Sequence, residues 1–346
     1  YLPFFMPLLV IDELNRFSPL GQNLVREGIA TGNWNYGNHS WFVEDQIVVS
    51  AINPESYGGT FELNENLADN FAVTLEPAYY NAFAHNPIVT GARIKIKTLL
   101  GNESAVNDLS AFYAANKNNF AAVGARVKTV REDTLNVFAS HGMPVISCDE
   151  IAAARAAMGA VPLTAEAWLY FYSLIAEMTY SKKYGRLRFD DPQSDSVHDK
   201  SYLNSLLKES LAGRFMNDLL EITRAIAWYF CKREADVNDV RAAFCYTAPR
   251  RIKPVIEFYQ RALNEPRKVP APVRAAKMLA AHAWSNYSGF AQPGNNAFNQ
   301  IRLAVEIMSG RACGDANTAC AILERVDHPL AECFCEAFAV SQFRLY

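Results

Sequence analysis

Near its start the chain carries an apolar run that stops abruptly at two carboxylates: Pro7-Leu8-Leu9-Val10-Ile11-Asp12-Glu13-Leu14-Asn15-Arg16. Consecutive Leu, Val and Ile without polar alternation is the pattern of a strand buried on both faces of a parallel sheet. An unpaired carboxylate is too costly inside such a strand. Asp12 and Glu13 are therefore expected at its C-terminal tip, the end where open α/β sheets form their ligand crevice.

The next fifty residues extend that reading. Ser18-Pro19 pairs a capping hydroxyl with a proline at the first helical position, and Leu20, Leu24, Val25 and Ile29 follow at helical spacing. Gly32-Asn33-Trp34-Asn35-Tyr36-Gly37-Asn38-His39-Ser40-Trp41 is rich in turn formers and aromatics and predicts a hairpin. Its rings could grip a substrate or pack the hairpin against its own domain, and packing is the expectation. A second apolar strand, Gln46 to Ile52, ends in Asn53-Pro54. Two strands joined through a helix, each with a polar residue at its tip, predict a βαβ unit whose tips converge.

These segments resemble the MoxR branch of the AAA+ ATPases. Leu9 to Arg16 is similar to the Walker B strand and the Asn-Arg signature after it, and Asn53 matches the sensor-1 polar residue. Gly59 to Phe71 is similar to the segment that follows sensor 1. At position 70, however, Asn stands where the family has an arginine that reaches a neighbouring subunit's nucleotide. Downstream, Ser147-Cys148-Asp149-Glu150 has the form of a capping box, and Thr164 opens a long amphipathic helix through Trp168, Leu169, Tyr172 and Leu174 to Met178. Both resemble the first helices of the family's lid. Arg214 opens a further helix where the family has sensor 2, and Asp236-Val237-Asn238-Asp239-Val240 and Arg250-Arg251-Ile252 continue the pattern in order.

The resemblance implies an α/β fold: a partial AAA+ P-loop-type core with a parallel sheet (1–77), an insertion or connecting segment (78–140), an all-helical lid (141–253) and a helical C-terminal extension (254–346). It implies ATP and Mg2+ as cofactors. Asp12 would hold the metal and Glu13 would orient the attacking water. Asn53 would sense the γ-phosphate, Arg214 would couple its loss to the lid, and Arg16 would face the next subunit in place of the arginine missing at position 70. The implied output is remodelling or activation of a protein client, with a von Willebrand A-type partner among the candidates, by a cytoplasmic homo-oligomeric ring.

One part of the pattern is missing. No G-x-x-x-x-G-K-S/T occurs, and eleven residues precede Asp12, whereas a P-loop with its strand and helix needs roughly fifty, since a βαβ crossover alone takes thirty or more. The expectation is a longer natural protein that supplies this loop upstream, the chain alone being unable to turn over ATP. The alternative is a hydrolysis-inactive assembly or scaffold subunit. A third reading, an all-protein structural or nucleic-acid-associated module, would rest on the stripe Arg93-Ile94-Lys95-Ile96-Lys97.

Composition narrows these options. The 33 basic and 36 acidic residues leave a net charge of −3, which argues against a general nucleic-acid binder. The longest apolar run, Leu2 to Ile11, is about half of a bilayer span and is broken by Pro3 and Pro7. Seven scattered cysteines without a CxxC suit a reducing compartment better than a disulfide framework. Cys313, Cys320, Cys333, Cys335 and His328 lack the two-residue ligand spacing of a zinc site and are expected to pack as small apolar residues.

Overall fold

The structure is a computed structural model and describes residues 8–36, 39–43, 46–53, 58–75, 103–116, 119–140, 142, 146–179, 203–208, 213–264, 271–308 and 310–339. The basic stripe at 93–97 lies outside these residues. The described part is mostly helical with a small parallel sheet. The chain divides into two compact units, Tyr1–Phe71 with Tyr79–Ile151, and Ala72–Ala78 with Ala152–Tyr346.

In the first unit β1 (Leu8–Ile11) pairs in parallel with β4 (Ile47–Ser50), in a register running from Leu8 opposite Ile47 to Ile11 opposite Ser50. Between them run α1 (Pro19–Thr31) and an antiparallel hairpin of β2 (Asn33–Tyr36) and β3 (His39–Phe42). Helix α1 begins as its sequence dictates, with the Gly21 N–H donating to Ser18 Oγ and Pro19 in the first turn. It ends at Gly32, whose φ of 72° suits glycine and whose N–H returns to the Gly28 carbonyl. Leu9, Ile11, Leu14, Val25, Trp34 and Leu67 form the core. Trp34 is buried there, and its indole N–H donates to Gln46 Oε1 at 2.9 Å. This ring therefore packs within its own domain.

The strand pair departs from the expected double burial. Leu9 and Ile11 face the core, but Leu8 and Val10 are 52% and 64% exposed, and Ile47 and Val49 are 45% and 50% exposed. An unbroken apolar run calls for cover on both faces, and here α1, the hairpin and the loop after β4 cover one. The segment Phe71 to Leu75 forms no strand. Within the second unit, Thr74 instead bonds through its N–H to the Tyr246 carbonyl and through its hydroxyl to the Pro249 carbonyl.

After the short α2 (Glu65–Ala68), two helices pack as a pair, α3 (Glu103–Ala115) and α4 (Phe120–Ser140), around Leu109, Val123 and Val127. Ser110 lies in the first of these helices and Phe120 opens the second. Asn119 separates them by accepting the Ala122 N–H at the head of α4. The capping box at Ser147 is realised before α5 (Cys148–Gly159): Glu150 accepts from the Ser147 N–H and hydroxyl, and the Glu150 N–H donates to Ser147 Oγ.

The second unit is built round α6 (Ala165–Met178). The sequence predicts an amphipathic helix, yet every residue from Ala167 to Met178 is buried. The physical reason is its surroundings. A 3-10 turn (Leu203–Leu206), α8 (Val237–Thr247), α10 (Ala271–Phe290), α11 (Asn296–Met308) and α13 (Pro329–Ala339) all pack on it, and a helix enclosed on every side is apolar on every side. Helices α7 (Gly213–Tyr229), α9 (Ile256–Asn264) and α12 (Ala316–Leu323) complete the layer. One continuous core runs from Val161 to Phe334, so the residues after position 254 share it with those before. Asp236 and Asp239 form a reciprocal capping box at the head of α8, with Lys232 on both carboxylates.

Candidate active site

The polar residues at the strand tips gather as their sequence positions suggest. The backbone ladder continues past β1 and β4: the Ala51 N–H donates to the Ile11 carbonyl and the Leu14 N–H to the Ala51 carbonyl, each at 3.0 Å. Between these bonds Glu13 is left-handed, φ 52° and ψ 44°. For a residue with a Cβ this conformation costs about 1–2 kcal/mol. It turns the chain from the strand into the short 3-10 turn Leu14–Arg16 at the acid pair itself. Uncommon backbone of this kind collects at functional sites, where the surroundings hold it.

The Glu13 carboxylate is engaged at both oxygens. Asn53 Nδ2 donates to Oε1 at 2.9 Å, and Arg16 Nε lies 3.1 Å from Oε2. The amide comes from the tip of one strand and the acid from the tip of its parallel neighbour, as the convergence of a βαβ unit requires. Arg16 and Glu13 are both about half exposed, so their ion pair contributes roughly 0–1 kcal/mol. Asp12, also at the tip, is exposed.

Two buried amides that the sequence reading did not count as site residues lie close along the chain, and Asn15 bonds the cluster directly. Asn15 is 2% exposed; its Nδ2 donates to the Asn53 carbonyl at 2.9 Å, and its Oδ1 accepts the Asn53 N–H at 3.1 Å. Gln22, equally buried, donates to the carbonyls of Phe17 and Glu62 and accepts the Asn64 N–H. The available signal for Asn15 was its place in the Asn-Arg pair after the acids. Gln22 had none, being one polar residue in an amphipathic helix.

The remaining candidates lie elsewhere in the chain. Asn70 donates through Nδ2 to the Arg26 carbonyl at 3.5 Å. Arg214 belongs to the second unit, exposed in the first turn of α7. One turn along that helix Asp218 pairs with Arg251 at 2.6 Å, the guanidinium lying 5.4 Å from the Phe215 ring. Arg251 thereby ties α7 to the end of α8.

As a donor set the strand tips suit Mg2+, which takes one or two carboxylates and leaves its other positions to water and phosphate. Asp12 is such a carboxylate, and the Glu13–Asn53 pair offers an acceptor for water beside an amide. Among the described residues no three His, Cys, Asp or Glu side chains converge as a metal cage. No helix among them is long and apolar enough to cross a membrane.

No known protein family matches the sequence, and no curated protein does. Among solved structures, a crystal structure of a protein from Cytophaga hutchinsonii, provisionally designated an ATPase, aligns with 81% of this chain at 13% identity and a TM-score of 0.46. The chain spans 66% of that protein's length. A likeness of this degree fixes neither fold nor activity, so the functional reading rests on the strand-tip geometry.

Proposed function

We propose that the chain carries the water-activating half of a MoxR-like AAA+ ATPase core, followed by its helical lid and a helical extension, and that ATP hydrolysis by the assembled protein remodels or activates a protein partner. The observation that carries this reading is the 2.9 Å contact of Asn53 with Glu13 across two parallel strand tips. It joins a candidate general base to a candidate phosphate-sensing amide.

Asp12 would hold Mg2+, which when bound would supply neutralisation of the phosphate charge. Glu13 orients the attacking water and takes its proton at Oε2, the oxygen that Asn53 does not hold. Asn53 keeps the carboxylate in place and presents its amide to the terminal phosphate. Arg214, permanently charged and able to fork across phosphate oxygens, couples phosphate loss to the lid. Arg16 leaves Glu13 to face a neighbouring subunit in a homo-oligomeric ring.

A second reading has its own observation. Asn70, where the resemblance calls for an arginine, is turned to a backbone carbonyl of α1. This favours a hydrolysis-inactive assembly subunit of the same fold. Phosphate release from the complete natural polypeptide, with and without Mg2+, separates the two. Mg2+-dependent turnover that Asp12→Asn abolishes supports the ATPase, whereas no turnover by the wild type supports the scaffold.

A further inference from the structure

Asn15 does something at this site that its type and position alone would not reveal. The parallel ladder between β1 and β4 closes with the Leu14 N–H on the Ala51 carbonyl, just past the left-handed Glu13, and among the described residues the Asn53 backbone meets a side chain where the next rung would fall. The Asn15 side chain takes the place of that rung. Its carboxamide offers one acceptor and one donor in a plane, as a peptide unit does, and both engage the backbone of Asn53, as acceptor to its N–H and donor to its carbonyl. The main chain of Asn15 is fixed as well, since its carbonyl accepts the Phe61 N–H at 2.7 Å. The Asn53 backbone is thus clamped while its own side chain reaches Glu13 Oε1.

We propose that Asn15 is a positioning residue: by acting as a one-residue surrogate strand it sets where the Asn53 amide meets the Glu13 carboxylate, and so where that carboxylate points. The proposal rests on the ATPase reading above and adds a residue that touches neither water nor phosphate. Its geometry excludes a role as mere core filling. A buried amide with both polar ends on one residue's backbone fixes direction, and an apolar residue of equal size would leave that N–H and carbonyl unpaired.

The test uses the complete natural polypeptide, with folding of every variant checked by circular dichroism. Asn15→Ala removes both bonds; kcat for ATP is expected to fall on the order of a hundredfold, the scale of a small misplacement of a reacting group, with KM little changed. Asn15→Asp keeps the acceptor for the Asn53 N–H but sets a carboxylate oxygen against the Asn53 carbonyl. Protonating that buried acid restores the donor, so its kcat relative to wild type is expected to recover as pH is lowered towards about 5, since burial raises carboxyl pKa values. A wild-type kcat in folded Asn15→Ala, or an Asn15→Asp deficit independent of pH, overturns the positioning role. Wild-type protein without turnover overturns instead the ATPase reading on which that role stands.

Discussion

Glu177 on α6 accepts a hydrogen bond from Asn286 Nδ2 on α10 at 2.8 Å, joining side chains 109 residues apart in the core of the second unit. The same carboxylate oxygen accepts the Leu203 N–H at 3.4 Å, so one acid ties two helices to a 3-10 turn. Burial is the dominant influence on it and pushes its pKa up to about 7, against a smaller opposing effect of the two hydrogen bonds.

The sign of the pH effect follows. Because the folded pKa is raised, the stabilisation is fully present below about 4.5, shrinks as pH rises and is gone above about 7. Glu177→Gln, which stays neutral, is expected to match wild type at acid pH and exceed it above neutrality by up to about 3 kcal/mol. Urea denaturation at a series of pH values measures this difference.

His328 works in the opposite direction. Its ring stacks on Phe290 with centroids 3.7 Å apart, and its Nδ1 accepts the Leu330 N–H at the head of α13. Burial lowers its pKa to about 4. The stabilisation it brings is present above about 6.5 and is lost as pH falls towards 4. Between about 4.5 and 6.5 the two slopes oppose one another, so the contributions of this pair largely offset each other there. His328→Asn, which can still cap the helix, is expected to expose the Glu177 slope, with stability falling as pH rises from 4.5 to 6.5. A profile unchanged from wild type would contradict the assignment.

Gly28 sets the fit of the hairpin to α1. A Cβ there would lie 2.4 Å from the Trp34 ring, and Trp34 is held by its bond to Gln46. Gly28→Ala is expected to destabilise the first unit by about 1–3 kcal/mol through overpacking, despite alanine's better helix propensity. Guanidinium denaturation followed by tryptophan fluorescence detects it; a stabilised variant would show that the indole has room to move.

What the sequence disclosed, and what it hid, divides by range. Ser18-Pro19, the Ser147 to Glu150 box, the turn-rich hairpin and the apolar runs of β1 and β4 are local signals, and each forms where its residues say. The convergence of Glu13 and Asn53 was also legible, because a strand, helix and strand in parallel bring their tips together. Asn15 was not read as a site residue, because its function is a contact 38 positions away that depends on where the ladder stops. The exposed face of Leu8, Val10, Ile47 and Val49 was hidden for another reason. A run of Leu, Val and Ile records a demand for burial and carries no information about what meets it. Likewise α6 reads as amphipathic from Trp168, Leu169 and Tyr172, and only the helices round it show that its remaining faces are covered.

In the proposed reaction Glu13, held by Asn53, is the group that activates water. Steady-state phosphate release by the complete natural polypeptide carrying Glu13→Gln tests it most directly, because glutamine keeps the size and the Asn53 contact and loses the basicity. A kcat lower by a factor of about 100 or more, the scale of general-base catalysis, is expected with ATP still bound; a kcat equal to that of wild type would remove Glu13 from the chemistry.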